Sequence, residues 1–324
     1  MPSLPRVLPA VPGSPPARRA VLLAALCLPA GCALVGAEPS YREGPLPIAT
    51  GAVDGVYYRY ARSLAARIGR RLPGVRPSVD STTGSVDNLR RLTSGRDRLA
   101  FVAADAVGAA ATARTLRSLA RLYDDYIHLV VAGSGPIRSV EDLRGRTVSV
   151  GAAGSGVELV AGRVLDAAGL TSGRRPTRVR MGLEESAAAL RARRIDAFFW
   201  SGGLPTAGIA LLARQVPIRL LALGTLAAPI RERYGPYYRA AAIPDGTYDG
   251  VGATLTLALA NFLLATTSLD DGLAYRVTEI LIRDRDAVAA EVPSAEHLDV
   301  RDAIQTEPIP LHPGALRYYR SVKP

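Results

Sequence analysis

Eleven consecutive residues, Val148-Ser149-Val150-Gly151-Ala152-Ala153-Gly154-Ser155-Gly156-Val157-Glu158, have the types and spacing of an anion cradle. The β-branched Val148 and Val150 predict a short buried strand, and the Gly/Ser run lets the backbone turn tightly. Leu159, Val160 and Val164 then recur at helical spacing. The first N–H groups of a helix have no partner inside it, and the macrodipole adds about half a positive charge there. Ser155, Gly156 and Val157 are therefore placed to donate to a carboxylate or phosphate, although an ordinary βα turn would read the same way. Gly151 and Gly156 have P-loop spacing, but Val157 and Glu158 stand where Lys and Ser or Thr would follow, so triphosphate hydrolysis is not expected. No Gly-x-Gly-x-x-Gly opens a βαβ unit here, which leaves a dinucleotide without support.

The elements before this loop point to the same kind of site. Leu46 to Thr50 reads as a first strand, followed by Gly51-Ala52-Val53-Asp54-Gly55 and a helix to Leu72 with Tyr57, Tyr60, Ala61, Leu64, Ala65 and Ile68 on one stripe. A second strand, Arg76 to Ser81, leads to Thr82-Thr83-Gly84-Ser85, where Ser85 is expected to cap the next helix. A third, Leu99 to Ala103, ends at Ala104-Asp105. Three strand ends thus bring Gly51, Thr83 to Ser85 and Asp105 to one edge, and open α/β sheets bind ligands at the carboxyl ends of their strands.

Beyond that edge, Leu116 to Tyr123 and Ile127 to Val131 read as two strands, and Ser139 as the cap of a short helix closed by Gly145. Val179 to Met181 is strand-like, Glu184 to Ala192 helical, and Ile195 to Phe199 a buried strand that ends in Trp200-Ser201-Gly202-Gly203. The alternation implies a mostly parallel sheet. Trp200, the sole tryptophan, can wall a ligand or pack in the core, and Ser201 and the Gly202 backbone can donate to a ligand. Pro205 starts a helix, Ile218 to Leu223 is a strand, and Tyr234 to Tyr248 reads as an ordered surface loop. Leu255 to Leu264 returns to the first half, and Asp270 to Asp286 is a long amphipathic helix.

Gly55-Val56-Tyr57-Tyr58, Thr83 to Leu89, Val148 to Glu158, and Asp196 to Gly203, in this order, resemble the TAXI family of extracytoplasmic solute-binding proteins that serve TRAP transporters. The resemblance runs over about residues 44 to 320. It implies an α/β, two-lobed type II periplasmic-binding-protein fold with a hinge between lobes, residues 44–131 plus 261–324 forming one lobe and 132–260 the other. It also implies a small carboxylate ligand, a glutamate- or glutamine-like amino acid or a dicarboxylate, and a TRAP permease that uses an ion gradient. The donors would be Gly51, Tyr57, Thr83, Ser85 and Asp105 from one side and Ser155, Gly156, Val157, Trp200, Ser201 and Gly202 from the other. Two places depart from the family's pattern: the first loop carries Ala52-Val53-Asp54, and Ala103-Ala104 precedes Asp105. Asp54 would favour a ligand with an amino group.

The ends of the chain set its compartment. Residues 1–31 hold Arg6, Arg18 and Arg19, no acid, and an apolar run Ala20 to Leu28 too short to span a bilayer, which are the parts of a signal peptide. Ala30-Gly31-Cys32 resembles the end of a lipobox, so Cys32 is the expected lipidation site and membrane anchor, with simple cleavage as the alternative. Residues 32–45 read as a tether. Of the two cysteines, Cys27 lies in the removed segment, so the mature domain forms no internal disulfide. The net charge of +11 falls to +8 without the three signal arginines, and the scattered Arg residues carry no nucleic-acid motif. A monomer with no cofactor and no metal is expected. Two rival functions stay open: a ligand-sensing lipoprotein, and an enzyme on the same fold. For an enzyme, His128 reads as a packed core residue, His297 and His312 lie among turn residues, and no Gly-x-Ser-x-Gly elbow occurs.

Overall fold

The computed structural model describes residues 40–53, 55–108 and 114–322. The expected signal peptide, Cys32, most of the tether and Asp54 lie outside the described residues.

The first half alternates strand and helix: β1 Gly44–Ala49, α1 Val56–Arg71, β2 Val75–Asp80, α2 Ser85–Thr93, β3 Leu99–Ala103 and α3 Ala104–Gly108. Tyr60, Ala61, Leu64 and Ile68 of α1 are fully buried, as their spacing demands, and Gly74, at φ +81°, turns the chain into β2. Next comes β4 Leu116–Ala132, a single strand of 17 residues rather than the two expected. The apparent break, Asp124-Asp125, is absorbed because pairing to a later strand continues past it and the two acids take separate partners. Asp124 meets Arg121 and Arg239, whereas Asp125 accepts from Ser201.

The second half contains β5 Thr147–Ser149, α4 Gly156–Ala167, β6 Thr177–Val179, α5 Leu183–Arg191, β7 Ala197–Gly202, α6 Ala207–Gln215, β8 Ile218–Leu220, α7 Ala227–Tyr234 and β9 Tyr238–Ile243. The chain then returns through β10 Thr254–Thr266 to α8 Asp271–Arg283, α9 Arg285–Ala289, α10 Val300–Ala303 and α11 Pro313–Val322. Several expectations are corrected here. The segment from Tyr234 to Tyr248 is not a surface loop: β9 lies in it and pairs with β10, Tyr238 is buried at the start of β9, and Tyr248, beyond its end, is buried too. β7 runs on through Gly202, so Trp200 and Ser201 are strand residues facing β4. Ser139 caps no helix; instead the Asp142 carboxylate accepts the Arg138 and Ser139 N–H groups ahead of a single 3₁₀ turn.

Ten strands form one sheet in the order β2-β1-β3-β10-β4-β7-β5-β6, with β8 on β4 and β9 on β10. The sheet is mixed rather than mostly parallel. β1 pairs in parallel with β2 and β3, and β5 with β6 and β7, but every pairing of β4 and β10 with another of these strands is antiparallel. Ser118 of β4 adds one isolated parallel bridge to Leu311. These two long strands pass from one α/β half to the other, which is why helical periodicity around them gives no warning of the change. Leu119 and Leu122 of β4 and Leu263 of β10 pack with α1 and α8, whereas Ile127, Leu129, Leu257 and Leu259 pack with α4. Each strand therefore serves two cores, and the fold is two-lobed. Among the described residues no helix is long and apolar enough to cross a membrane.

Candidate functional site

A cavity of about 460 Å³ lies where the two cores part, and residues of both halves line it. Its size is within the usual range for a small-molecule site. All eleven candidate ligand residues line it: Gly51, Tyr57, Thr83, Ser85, Asp105, Ser155, Gly156, Val157, Trp200, Ser201 and Gly202.

On the first side, the loops after β1 and β2 are pinned by one buried amide. Asn88 of α2 donates to the Thr50 and Phe101 carbonyls and accepts the Thr82 hydroxyl, tying the ends of three strands together. Gly51 is held by Ser81 and Thr82, which donate to its carbonyl. Ser85 is not the helix cap. That position is Gly84, at φ +118°, and the Ser85 hydroxyl instead accepts the Ala103 N–H at 3.0 Å. Tyr57 reaches across to donate to Asn261 of β10, and burial pushes its hydroxyl well above its ordinary pKa.

On the second side, Ser155 caps α4 by accepting the Glu158 N–H at 3.1 Å, and the Glu158 carboxylate accepts the Gly154 N–H at 2.8 Å. Burial opposes ionisation of Glu158, but the Arg180 guanidinium and that N–H hold its pKa below the usual value. The N–H groups of Gly156 and Val157 lie at the helix start, where no intrahelical partner exists. Gly151, at φ +92°, makes the turn into the cap; a Cβ there would stand 2.6 Å from that of Val157.

The two sides meet at the mouth. The Thr83 hydroxyl is 3.5 Å from the Gly154 carbonyl, and a Cβ on Gly84 would lie 3.6 Å from the Gly156 nitrogen. Four helix N-termini, those of α1, α2, α4 and α5, border the same space. No Lys or Arg is among the lining residues. An anion here would be met by helix-terminal N–H dipoles, while the Trp200 indole N–H, buried beside Gly202, has no hydrogen-bond partner.

Sequence reasoning missed the floor of the cavity. Tyr123 and Asp125 of β4 and Leu259 of β10 form it, while Glu184 and Glu185 in the first turn of α5, both exposed, line the cavity from the solvent side. The usable signal was the adjacent pair of acids, the only acids in a long strand that is mostly buried. Asp125 is 6% exposed; burial pushes its carboxyl up to about 7, although Ser201, at 3.0 Å, and Asn261 hydrogen-bond to it. The Ser201 hydroxyl is thus turned to Asp125 rather than free for a ligand. Asp105 is occupied as well: its Oδ2 accepts from Tyr238 at 2.6 Å and from Arg163 at 3.2 Å, while its Oδ1 has no partner. Burial raises the Asp105 carboxyl, with Tyr238 and Arg163 opposing the shift.

No Ser–His or Cys–His pair lines the cavity. His128 is buried against the Tyr248 hydroxyl at 2.9 Å and its pKa is pushed down to about 4 by burial, so it is a neutral core group. His312 is buried and hydrogen-bonded to the Leu269 carbonyl. Among the described residues no cluster of His, Cys, Asp or Glu could hold a metal ion.

The chain is similar in structure to a protein of Bordetella bronchiseptica RB50 (TM-score 0.52, 19% identity, covering 88% of this chain and 91% of that one). It is also similar to the XAC2383 protein of Xanthomonas citri bound to chloride (0.51, 14%, 86% and 95%). A third similar structure is a Listeria monocytogenes protein described as an L-cystine ABC transporter (0.50, 14%, 79% and 98%). At these identities the likeness concerns the fold, which is the two-lobed type II periplasmic-binding-protein fold. Residues 48–322 match the family model described as the NMT1-like family, and the chain belongs to that family.

Proposed function

We propose that this chain is an extracytoplasmic solute-binding receptor that captures a small carboxylate-bearing solute for a TRAP-type secondary transporter, in the manner of the TAXI proteins. The two lobes are those the resemblance implies, except that the first crossing falls inside β4, where Ile127, Leu129 and Val131 already pack in the second core; bending of β4 and β10 at the crossings opens and closes the cleft. The observation that carries this reading is the convergence of four helix N-termini on one cavity walled from both halves with no basic side chain. Such a site grips a carboxylate through main-chain donors, whose number in contact rises as the lobes close, so ligand favours the closed form.

Gly51, Tyr57, Thr83 and Ser85 act from one lobe and Ser155 to Val157, with Trp200 and Gly202, from the other. Asp105 and Ser201 serve beneath them as positioning groups. The chain binds without turnover, as a monomer held to the membrane through Cys32, and hands its solute to a permease. Calorimetric titration of the mature protein with amino acids and dicarboxylates tests the class. Submillimolar binding with the solute recovered unchanged is expected; conversion of the solute by the purified protein would overturn the receptor reading.

A further inference from the structure

The cavity is chemically two-ended. Main-chain donors gather where α2 and α4 begin, whereas the buried part of the lining carries two carboxyl groups, Asp105 and Asp125, beside the Tyr123 hydroxyl. Asp125 lies there, buried, with Ser201 of β7 and Asn261 of β10 as its hydrogen-bond partners. Tyr123, two residues before it and 3% exposed, leaves its hydroxyl without a partner, and so does Asp105 Oδ1 on α3. The charges around Asp125 are unequal. Asp105 has Arg163 beside it, and Asp124, pointing away from the cleft, has Arg121 and Arg239. Glu184 and Glu185 of α5 are the other acids in the lining, and no cation is among the lining residues. A buried carboxylate in such surroundings must either keep a proton or receive a positive charge from whatever enters the cavity.

We infer that Asp125 determines specificity by receiving the protonated amine of a zwitterionic solute whose carboxylate lies at the helix N-termini. An amine suits the site better than a metal ion, because no group of three metal-ligating side chains surrounds it among the described residues. The inference rests on the receptor reading above and narrows it, since a dicarboxylate would set a second anion against Asp125.

Binding then exchanges a proton. With its value up to about 7, Asp125 is largely protonated in the empty cleft below neutrality and must ionise to hold an ammonium. Affinity for an amino acid should therefore fall about tenfold per unit below neutrality, about a hundredfold by pH 5, with a proton released on binding, and fall again at high pH where the solute's own amine loses its proton. A dicarboxylate would instead use the protonated form and bind more weakly as pH rises through 7.

The test is calorimetry on the mature chain with the twenty amino acids and, for each that binds, the acid lacking only the α-amino group, such as glutarate against L-glutamate. The expected result is a preference of about a hundredfold or more for the amino compound, collapsing below tenfold in Asp125→Asn. Proton release by the unaltered protein, read from titrations in buffers of different ionisation enthalpy, tests the same point should the variant fold poorly. Equal binding of the desamino acids, or an unchanged preference in Asp125→Asn, or no proton release at pH 6, would overturn the inference and leave the receptor reading intact. Failure of every amino acid and dicarboxylate to bind would overturn both.

Discussion

Gly156→Leu separates closure of the cleft from stability of the fold. A Cβ at Gly156 would stand 3.3 Å from Ser85 Oγ and 3.5 Å from Ser85 Cβ, in the gap where the two sides meet. Ser85 has little room to yield: it is 3% exposed, its hydroxyl accepts the Ala103 N–H at 3.0 Å, and the Tyr57 hydroxyl is 3.5 Å away. Alanine already requires a shift of a few tenths of an ångström, and leucine adds three more carbons. Overpacking of this kind costs about 1–3 kcal/mol. Because Gly156 begins α4 and faces the other lobe, that cost falls on the closed form and spares each lobe's own core. With tenfold per 1.4 kcal/mol, apparent affinity for the tightest ligand should fall about 5- to 150-fold. The unfolding free energy should change by no more than about 0.5 kcal/mol. Calorimetric titration, paired with urea denaturation and small-angle scattering of liganded protein, reads all three quantities. Unchanged affinity in Gly156→Leu, or a loss that merely tracks lost stability, would refute the reasoning that these loops meet on closure.

Other expectations follow from single contacts. Asn88→Ala strips donors from the Thr50 and Phe101 carbonyls at a site with no exposure, and should destabilise the fold by about 2–4 kcal/mol in urea denaturation. His128, buried neutral with its value pushed down to about 4, stabilises the fold above pH 6.5, and this contribution is lost as pH falls toward 4. It amounts to about 3 kcal/mol, so His128→Gln should show a flatter difference curve between pH 5 and 7.5 with solute binding retained. Asp125 works in the opposite sense, its raised value favouring the fold at low pH and losing that advantage as pH rises toward 7, so only comparison with the variant isolates either group. Gly202→Ala places a methyl 2.6 Å from Trp200 Nε1 and should swing the indole, moving the emission of the sole tryptophan while the melting temperature stays within a few degrees.

Local chemistry made much of the site legible. The Gly151 to Glu158 loop was recognisable because a glycine-rich turn after two β-branched residues and before an apolar-periodic run allows little except strand, turn and helix start. The same held for Gly51 and for Thr83 to Ser85. The role of Ser85 was not legible: a serine before a helix reads as a cap, and only the packing of Ala103 against it turns its hydroxyl inward. The floor was hidden for a related reason. Asp124-Asp125 resembles a strand break until Arg239 and Ser201, distant in sequence, are brought to its opposite faces, where Arg239 joins the nearby Arg121 on Asp124.

From its sequence alone the chain determined the strand–turn–helix units that carry the site, α1, α2, α4 and α5 among them, since such units depend on neighbours within about twenty residues. Tertiary structure alone decided that β4 and β10 are continuous antiparallel spans shared by two cores, and that Asp125 sits unaccompanied by a cation beneath the cleft. Strand pairing and burial are set by partners more than a hundred residues away, and no local pattern of residue types records who those partners are.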